Sequence, residues 1–344
     1  MGYSPLQRAL ACSTCGHARV LPDPTPDEAA EARREQDYLE VLQRLASQVP
    51  REVANVVECP ACGAVTRFDA HVRADRCAFC ASPLRREPTR VEERLPPQAL
   101  VAFQLDAAAA QAVFVRWISS RWFAPNALKR TVRAADGVRG AYLPWWTFDA
   151  ATVTTYRGER GVRRAEDGSQ HSGDRSNTRT VVDWDAVQGA VAVPFDDLLV
   201  VGSPSIPAHL ARVLDHWQLQ GLRPPADEWL AGFTVEFDRK GLEPAFTEAR
   251  HQMDGAIDAA IRRDIGGDEQ RIHARQTLVD DIRFKHLLMP VWIGAYRFRG
   301  RPYQVVVNGQ TGEVEGDRPW SAWKIGLAVL AGLLLFLLLQ SQQA

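Results

Sequence analysis

Cys59-Pro-Ala-Cys62-Gly63, answered fourteen residues later by Cys77-Ala-Phe-Cys80, is the stretch on which the reading of this chain turns. Two Cys-x-x-Cys knuckles supply four thiolates, the soft tetrahedral set that Zn²⁺ prefers. The interval between them can hold two short strands and a turn, for which Thr66, Phe68 and Val72 offer material. The pattern predicts an all-β zinc ribbon over residues 51–83, with Cys59, Cys62, Cys77 and Cys80 as ligands. A redox dithiol and a metal-free site are the alternatives. Gly63 suits the left-handed turn after the first knuckle, whereas Ala81 stands where the second would usually carry glycine. With four cysteines filling the site, His71 reads as a surface side chain.

Upstream, Cys12-Ser-Thr-Cys15-Gly16-His17 is half of a similar site. Two thiolates do not close a structural zinc shell. Residues 1–24 therefore read as a partial knuckle segment with a second, incomplete site at Cys12 and Cys15. Free thiols, His17 plus another group, ligands from a second chain, or ligands from a lost upstream segment all remain open. All six cysteines precede residue 81, and Met1–Leu10 lacks the apolar run of a secretory signal. Paired cysteines in the reducing cytosol bind metal more often than they form disulfides. Between the two groups, residues 25–50 predict a connecting helix. Thr25-Pro26-Asp27-Glu28 forms a capping box, Tyr38, Val41, Leu42 and Leu45 form an apolar stripe, and Pro50 stops it.

The chain has 344 residues, 46% hydrophobic and 24% charged, with a formal net charge of −1. That composition excludes a wholly disordered chain and a general polycation. Residues 84–99, charged and proline-bearing, read as a linker into a body over 100–318. There Asp106 caps a helix carrying Val113, Phe114, Trp117 and Ile118. Short strands are expected at Thr152–Tyr156, Thr180–Trp184, Val187–Val193 and Leu198–Val201. Arg157–Thr178 reads as an exposed loop holding a solvated His171. A long helix is expected over Pro244–Ile265, ended by Gly266-Gly267. Strands then follow through Trp292–Phe298, Tyr303–Val307 and Glu313–Glu315. The expected class is α+β, with an antiparallel β meander. A weak internal echo relates Leu143-Pro144-Trp145-Trp146 to Met289-Pro290-Val291-Trp292. The tryptophans read by default as core.

Ile325–Leu339 is an uninterrupted apolar run of 15 residues. As a helix it is about 22 Å long against a hydrocarbon core of about 30 Å. Trp320, Ala322 and Trp323 extend it, and Lys324 can snorkel. Residues 319–344 are therefore expected to form a single transmembrane helix that contacts the bilayer through Ile325–Leu339. With Arg318 and Lys324 on its N-terminal flank, the positive-inside rule predicts a single-pass protein of the cytoplasmic membrane. Its N-terminus and body would be cytosolic and its C-terminus outside.

Motifs for catalysis are missing from the sequence. It contains no G-x-x-x-x-G-K-[ST], H-E-x-x-H, G-x-S-x-G or G-x-G-x-x-G. The adjacent acids Asp196-Asp197 and Asp280-Asp281 would point to opposite faces of a strand. The ribbon and its flank carry Arg67, Arg73, Arg76, Arg85, Arg86 and Arg90 against Asp69, Asp75 and Glu87. This excess would attract nucleic acid only weakly.

The ribbon, Arg121–Asn126, Tyr142–Asp149, and the block from His286 to Lys324 together resemble a bacterial family. That block includes Asn308-Gly309-Gln310-Thr311-Gly312 and Arg318-Pro319-Trp320-Ser321-Ala322-Trp323-Lys324. The family comprises membrane-anchored zinc-ribbon proteins often labelled "primosomal protein N′ (replication factor Y), superfamily II helicase". The resemblance implies a zinc ribbon and a membrane anchor, and partners among membrane-stress proteins of the phage-shock or SPFH type. Helicase activity is not carried over, because no phosphate loop is present. The expected function is a membrane-tethered adaptor that recruits protein partners and is not an enzyme. A membrane-associated nucleic-acid binder linked to replication, and an enzyme whose site is hidden in sequence, are the alternatives.

Overall fold

The computed structural model describes residues 1–12, 14–45, 52–67, 77–80, 82–84, 90–128, 137–167, 178–211, 214, 216–298 and 301–341. Phe68, His71, Val72, Ala81 and His171 lie outside the described residues. The N-terminal strands are β1 (Gly2–Ser4), β2 (Ala9–Ala11), β3 (Ala18–Val20) and β4 (Gln36–Asp37). The next group is β5 (Glu52–Glu58), β6 (Val65–Arg67), β7 (Arg90–Arg94) and β8 (Ala99–Leu100). The rest are β9 (Arg139–Asp167), β10 (Thr178–Val201), β11 (Thr234–Val235), β12 (Glu269–Phe298), β13 (Arg301–Asn308) and β14 (Val314–Gly316). Two small sheets, β1-β2-β3 and β6-β5-β7, flank one large sheet of order β10-β9-β12-β13-β14, along which β4, β8 and β11 add short pairings.

This corrects the expected α+β class: the protein is mostly a large antiparallel β sheet with a few helices. β9, β10 and β12 run for 29, 24 and 30 residues. The three short strands expected between Thr180 and Val201 are one strand, because Asp185 and Ala186 keep the pairing with Arg160 and Glu159 of β9 with no shift of register. Asp196-Asp197 does not end it either. The register shifts between Phe195 and Leu198, and Asp197 takes φ 51°. Asp280-Asp281 behaves alike on β12, with Asp281 at φ 48° and a shift between Asp280 and Arg283. A short polar side chain tolerates this left-handed conformation, so each acidic pair is absorbed as a bulge. Both bulges flank the same level of β9, near Asp149–Ala151.

Beyond that level β10, β9 and β12 form a three-stranded arm. A helix over Leu242–Ile265 covers one of its faces, burying Ala249, Met253, Ile257 and Ile261. The Tyr156 hydroxyl donates to Asp264 at its C-terminal end, and Gly266, at φ 68°, stops it. The expected N-terminal helix is two. The Thr25 capping box forms as read and starts Pro26–Arg33. Gln36 and Asp37 then pair with Phe284 and Arg283. The Asp37 carboxylate accepts from the Glu40 N–H at 2.7 Å and starts a second helix over Tyr38–Leu45. Asp106 caps Ala107–Ser120 as expected. Part of the 84–99 segment is β7, paired with β5.

The echoed segments lie side by side, Leu143 opposite Met289 and Tyr142 opposite Pro290. Their tryptophans are core: Trp145, Trp146 and Trp292 are buried. Trp146 donates to the Lys240 carbonyl at 2.9 Å and stacks on His286 with ring centroids 4.1 Å apart. Burial pushes the fully enclosed His286 imidazole down to about 4. An unfolded chain protonates this histidine near 6.5, so stability is present above pH 6.5 and lost as pH falls towards 4. The loss is about 3 kcal/mol. His286→Phe, which keeps a flat ring against Trp146, is expected to shrink the drop in thermal midpoint between pH 7 and pH 4.5, as read by calorimetry. An unchanged drop would refute the assignment.

The C-terminal helix, Ala322–Ser341, exists and exposes Leu327, Leu330, Leu333 and Phe336. Among the described residues, however, no helix is long and apolar enough to cross a membrane. The residues needed to lengthen the 15-residue run are held by the body. The Ser321 N–H donates to the Phe123 carbonyl at 2.9 Å. Lys324 Nζ donates to the Trp122 and Ala124 carbonyls and to Asn126 Oδ1 at 3.0, 2.9 and 2.8 Å. The run left over is about 22 Å long. The expected transmembrane helix and tail anchor over 319–344, and the single-pass placement in the cytoplasmic membrane, are corrected accordingly.

Candidate metal centre

The knuckle turn forms because Gly63 adopts φ 72°, letting its N–H reach the Cys59 carbonyl at 2.9 Å while the Cys59 N–H reaches the Ala64 carbonyl at 2.8 Å. The second knuckle is closed by the Cys77 N–H on the Ser82 carbonyl at 2.8 Å. Together they gather Cys59, Cys62, Cys77 and Cys80 so that all four sulfurs lie within 4.8 Å of one another. Sγ of Cys59 and Cys80 are 3.6 Å apart, and those of Cys62 and Cys77 are 3.7 Å apart. A tetrahedron with metal–sulfur bonds of about 2.3 Å has edges of about 3.8 Å, so the four sulfurs fit a metal ion. The Cys62 thiol, accepting from Cys77, is held down at about 5, and the same contact pushes Cys77 up.

The cluster is built into the body. Cys59, Cys77, Ala78 and Phe79 share a core with Leu143, Trp145, Leu287 and Met289 of the large sheet. The Phe237 N–H donates to the Val65 carbonyl at 2.9 Å, and Arg239 Nη1 to the Gly63 carbonyl at 2.8 Å. Below them Arg94 pairs with Asp238 at 3.1 Å, with both side chains buried, and lies 4.0 Å over the Phe237 ring. Glu236 is fully enclosed beside this seam and accepts from the Ser205 hydroxyl, and burial pushes its carboxyl up to about 8.

The first knuckle repeats the backbone pattern, with Cys12 N–H on the His17 carbonyl and Gly16 N–H on the Cys12 carbonyl, both at 2.9 Å. Among the described residues no further His, Cys, Asp or Glu completes a ligand set around Cys12 and Cys15. Arg73, Arg76, Arg85 and Arg86 of the expected basic flank lie outside the described residues.

Sequence reasoning missed a second cluster. Lys285 Nζ, on β12, sits 2.8 Å from both Glu35 Oε1 and Asp197 Oδ1, and the Asp149 carboxyl joins them. Burial, then the hydrogen bond shared with Glu35, pushes Asp149 up to about 7. The doubled acid Asp196-Asp197 was the available signal, because a bulge turns one of such a pair inward.

A large β sheet packed against a four-cysteine cluster that could hold a metal ion is thus the class of protein these residues define. No family model matches the chain, and no solved structure matches it. Among curated proteins it is similar to the uncharacterized protein YdjG of Bacillus subtilis (strain 168), 23% identical over 246 residues and covering 70% of each chain.

Proposed function

We propose that this chain is a zinc-stapled β scaffold that recruits protein partners, an adaptor and not an enzyme. Zn²⁺ is the ion of choice for four thiolates, and a site closed by four protein ligands has no open position for catalysis. The observation that carries the adaptor reading is the arm face opposite the helix Leu242–Ile265. There Ala192, Val153 and Leu278 stand in one row across the three strands. Val153 is 51% exposed and Leu278 68%. An exposed apolar row on a sheet face is the kind of surface that a protein partner covers.

The test is affinity capture with the full-length protein, after nuclease and in high salt, beside a Val153→Lys/Leu278→Lys variant. Both residues point to solvent, so the variant should fold. A stoichiometric protein that survives the washes and is lost from the variant is the expected result. The same proteins on both baits, or nucleic acid that leaves with salt, would overturn the reading.

A further inference from the structure

A cavity of about 480 Å³ lies where the N-terminal hairpin meets the body, walled by Tyr3, Leu6, Arg8, Phe103, Gln104 and Arg223 among others. Its volume falls in the range of small-molecule sites. The lining includes two arginines, Arg8 and Arg223, and no acidic residue, and the nearby Asp23 carboxyl is held down by both of them, Arg223 first. One of them is fixed: Arg223 lies 4.6 Å over the Trp229 ring and donates through Nη2 to Asp23 at 2.8 Å. The other, Arg8, is exposed, and its backbone is held at φ 46°. There its N–H meets the Pro5 carbonyl and its own carbonyl accepts from Leu21. A non-glycine residue kept in this region is strained, and such positions cluster at ligand sites. Both arginines act on the Tyr3 hydroxyl, opposing the upward push that burial gives it. Leu6, 73% exposed, supplies apolar surface at the cavity.

We propose that this cavity binds a small organic monocarboxylate, its carboxylate between Arg8 and Arg223 and its apolar body against Pro5 and Leu6. With Asp23 set against Arg223, one positive charge is left over, which matches a monoanion better than a phosphate dianion. A guanidinium also presents paired N–H donors to a carboxylate. The site is separate from the cysteine cluster and does not depend on the adaptor reading.

Ligand-observed ¹⁹F NMR on the full-length protein tests it, with 4-fluorobenzoate, neutral 4-fluorobenzamide and 4-fluorophenyl phosphate as probes. The benzoate is expected to bind in the millimolar range and the amide at least about tenfold more weakly. Arg8→Asn removes the charge, and asparagine tolerates the left-handed backbone, so this variant should fold. It is expected to weaken benzoate binding several-fold, while Arg8→Lys retains most of it. Arg223→Gln should abolish it. Equal binding of benzoate and amide, preference for the phosphate, benzoate binding untouched by Arg8→Asn, or no binding at about 10 mM probe would each overturn the proposal.

Discussion

With serine at both Cys59 and Cys62, metal content is expected to fall from one zinc per chain to none. The thermal midpoint should fall with it by more than about 10 °C. The size follows from where the cluster sits. In small zinc modules the ion supplies roughly 10–16 kcal/mol of apparent binding energy, which becomes folding energy because the unfolded chain has no preformed site. Here Cys59 and Cys77 are also part of the core shared with Leu143 and Met289. Loss of the ion would therefore loosen the wall against one side of the large sheet as well as the ribbon. Elemental analysis and scanning calorimetry read the two effects separately. Unchanged zinc in the variant would sink the ligand assignment, and lost zinc with an unmoved midpoint would sink the stapling role. Cys12→Ser/Cys15→Ser is the matching control and should leave both values where they were, since the first knuckle gathers no further ligand among the described residues.

The cysteine cluster is legible in sequence because its signal is covalently local: two x-x spacers, a glycine free to take φ 72°, and chemistry that hardly any other residue supplies. The Thr25 and Asp106 caps are legible for the same reason. What escapes is set by partners far along the chain. The pattern suggests short strands where 24 residues form one, because a doubled acid looks like a stop unless its neighbours are known to bridge it. The C-terminal run carries the composition of a membrane helix. The three acceptors that hold Lys324 sit about two hundred residues earlier, where hydropathy cannot register them. Arg94 shows the effect most sharply. In sequence it belongs to a charged, proline-bearing stretch that reads as a linker, yet its partner Asp238 lies 144 residues on and both side chains are buried.

That burial makes Arg94→Met the second large effect. Removing one member of an enclosed ion pair leaves the other charge without compensation, at a cost of about 3–5 kcal/mol. Methionine fills much of the volume over the Phe237 ring, so most of the loss should be electrostatic and not a cavity term. Arg94→Met/Asp238→Leu, which removes both charges, should recover a large part of it in denaturant unfolding. If the double variant is as unstable as the single, packing and not charge holds this seam. An independent readout comes from His286, whose depressed value is due first to burial but also to the positive Arg94, while Asp238 pulls the other way. Without Arg94, the repulsion disappears and the attraction stays. The His286 value, followed by NMR, should climb from about 4 towards its ordinary range, and the acid window in which stability is lost should narrow from below. Asp238→Leu in the same background removes the attraction and should send the value back down. A purely structural role for the pair would move neither reading.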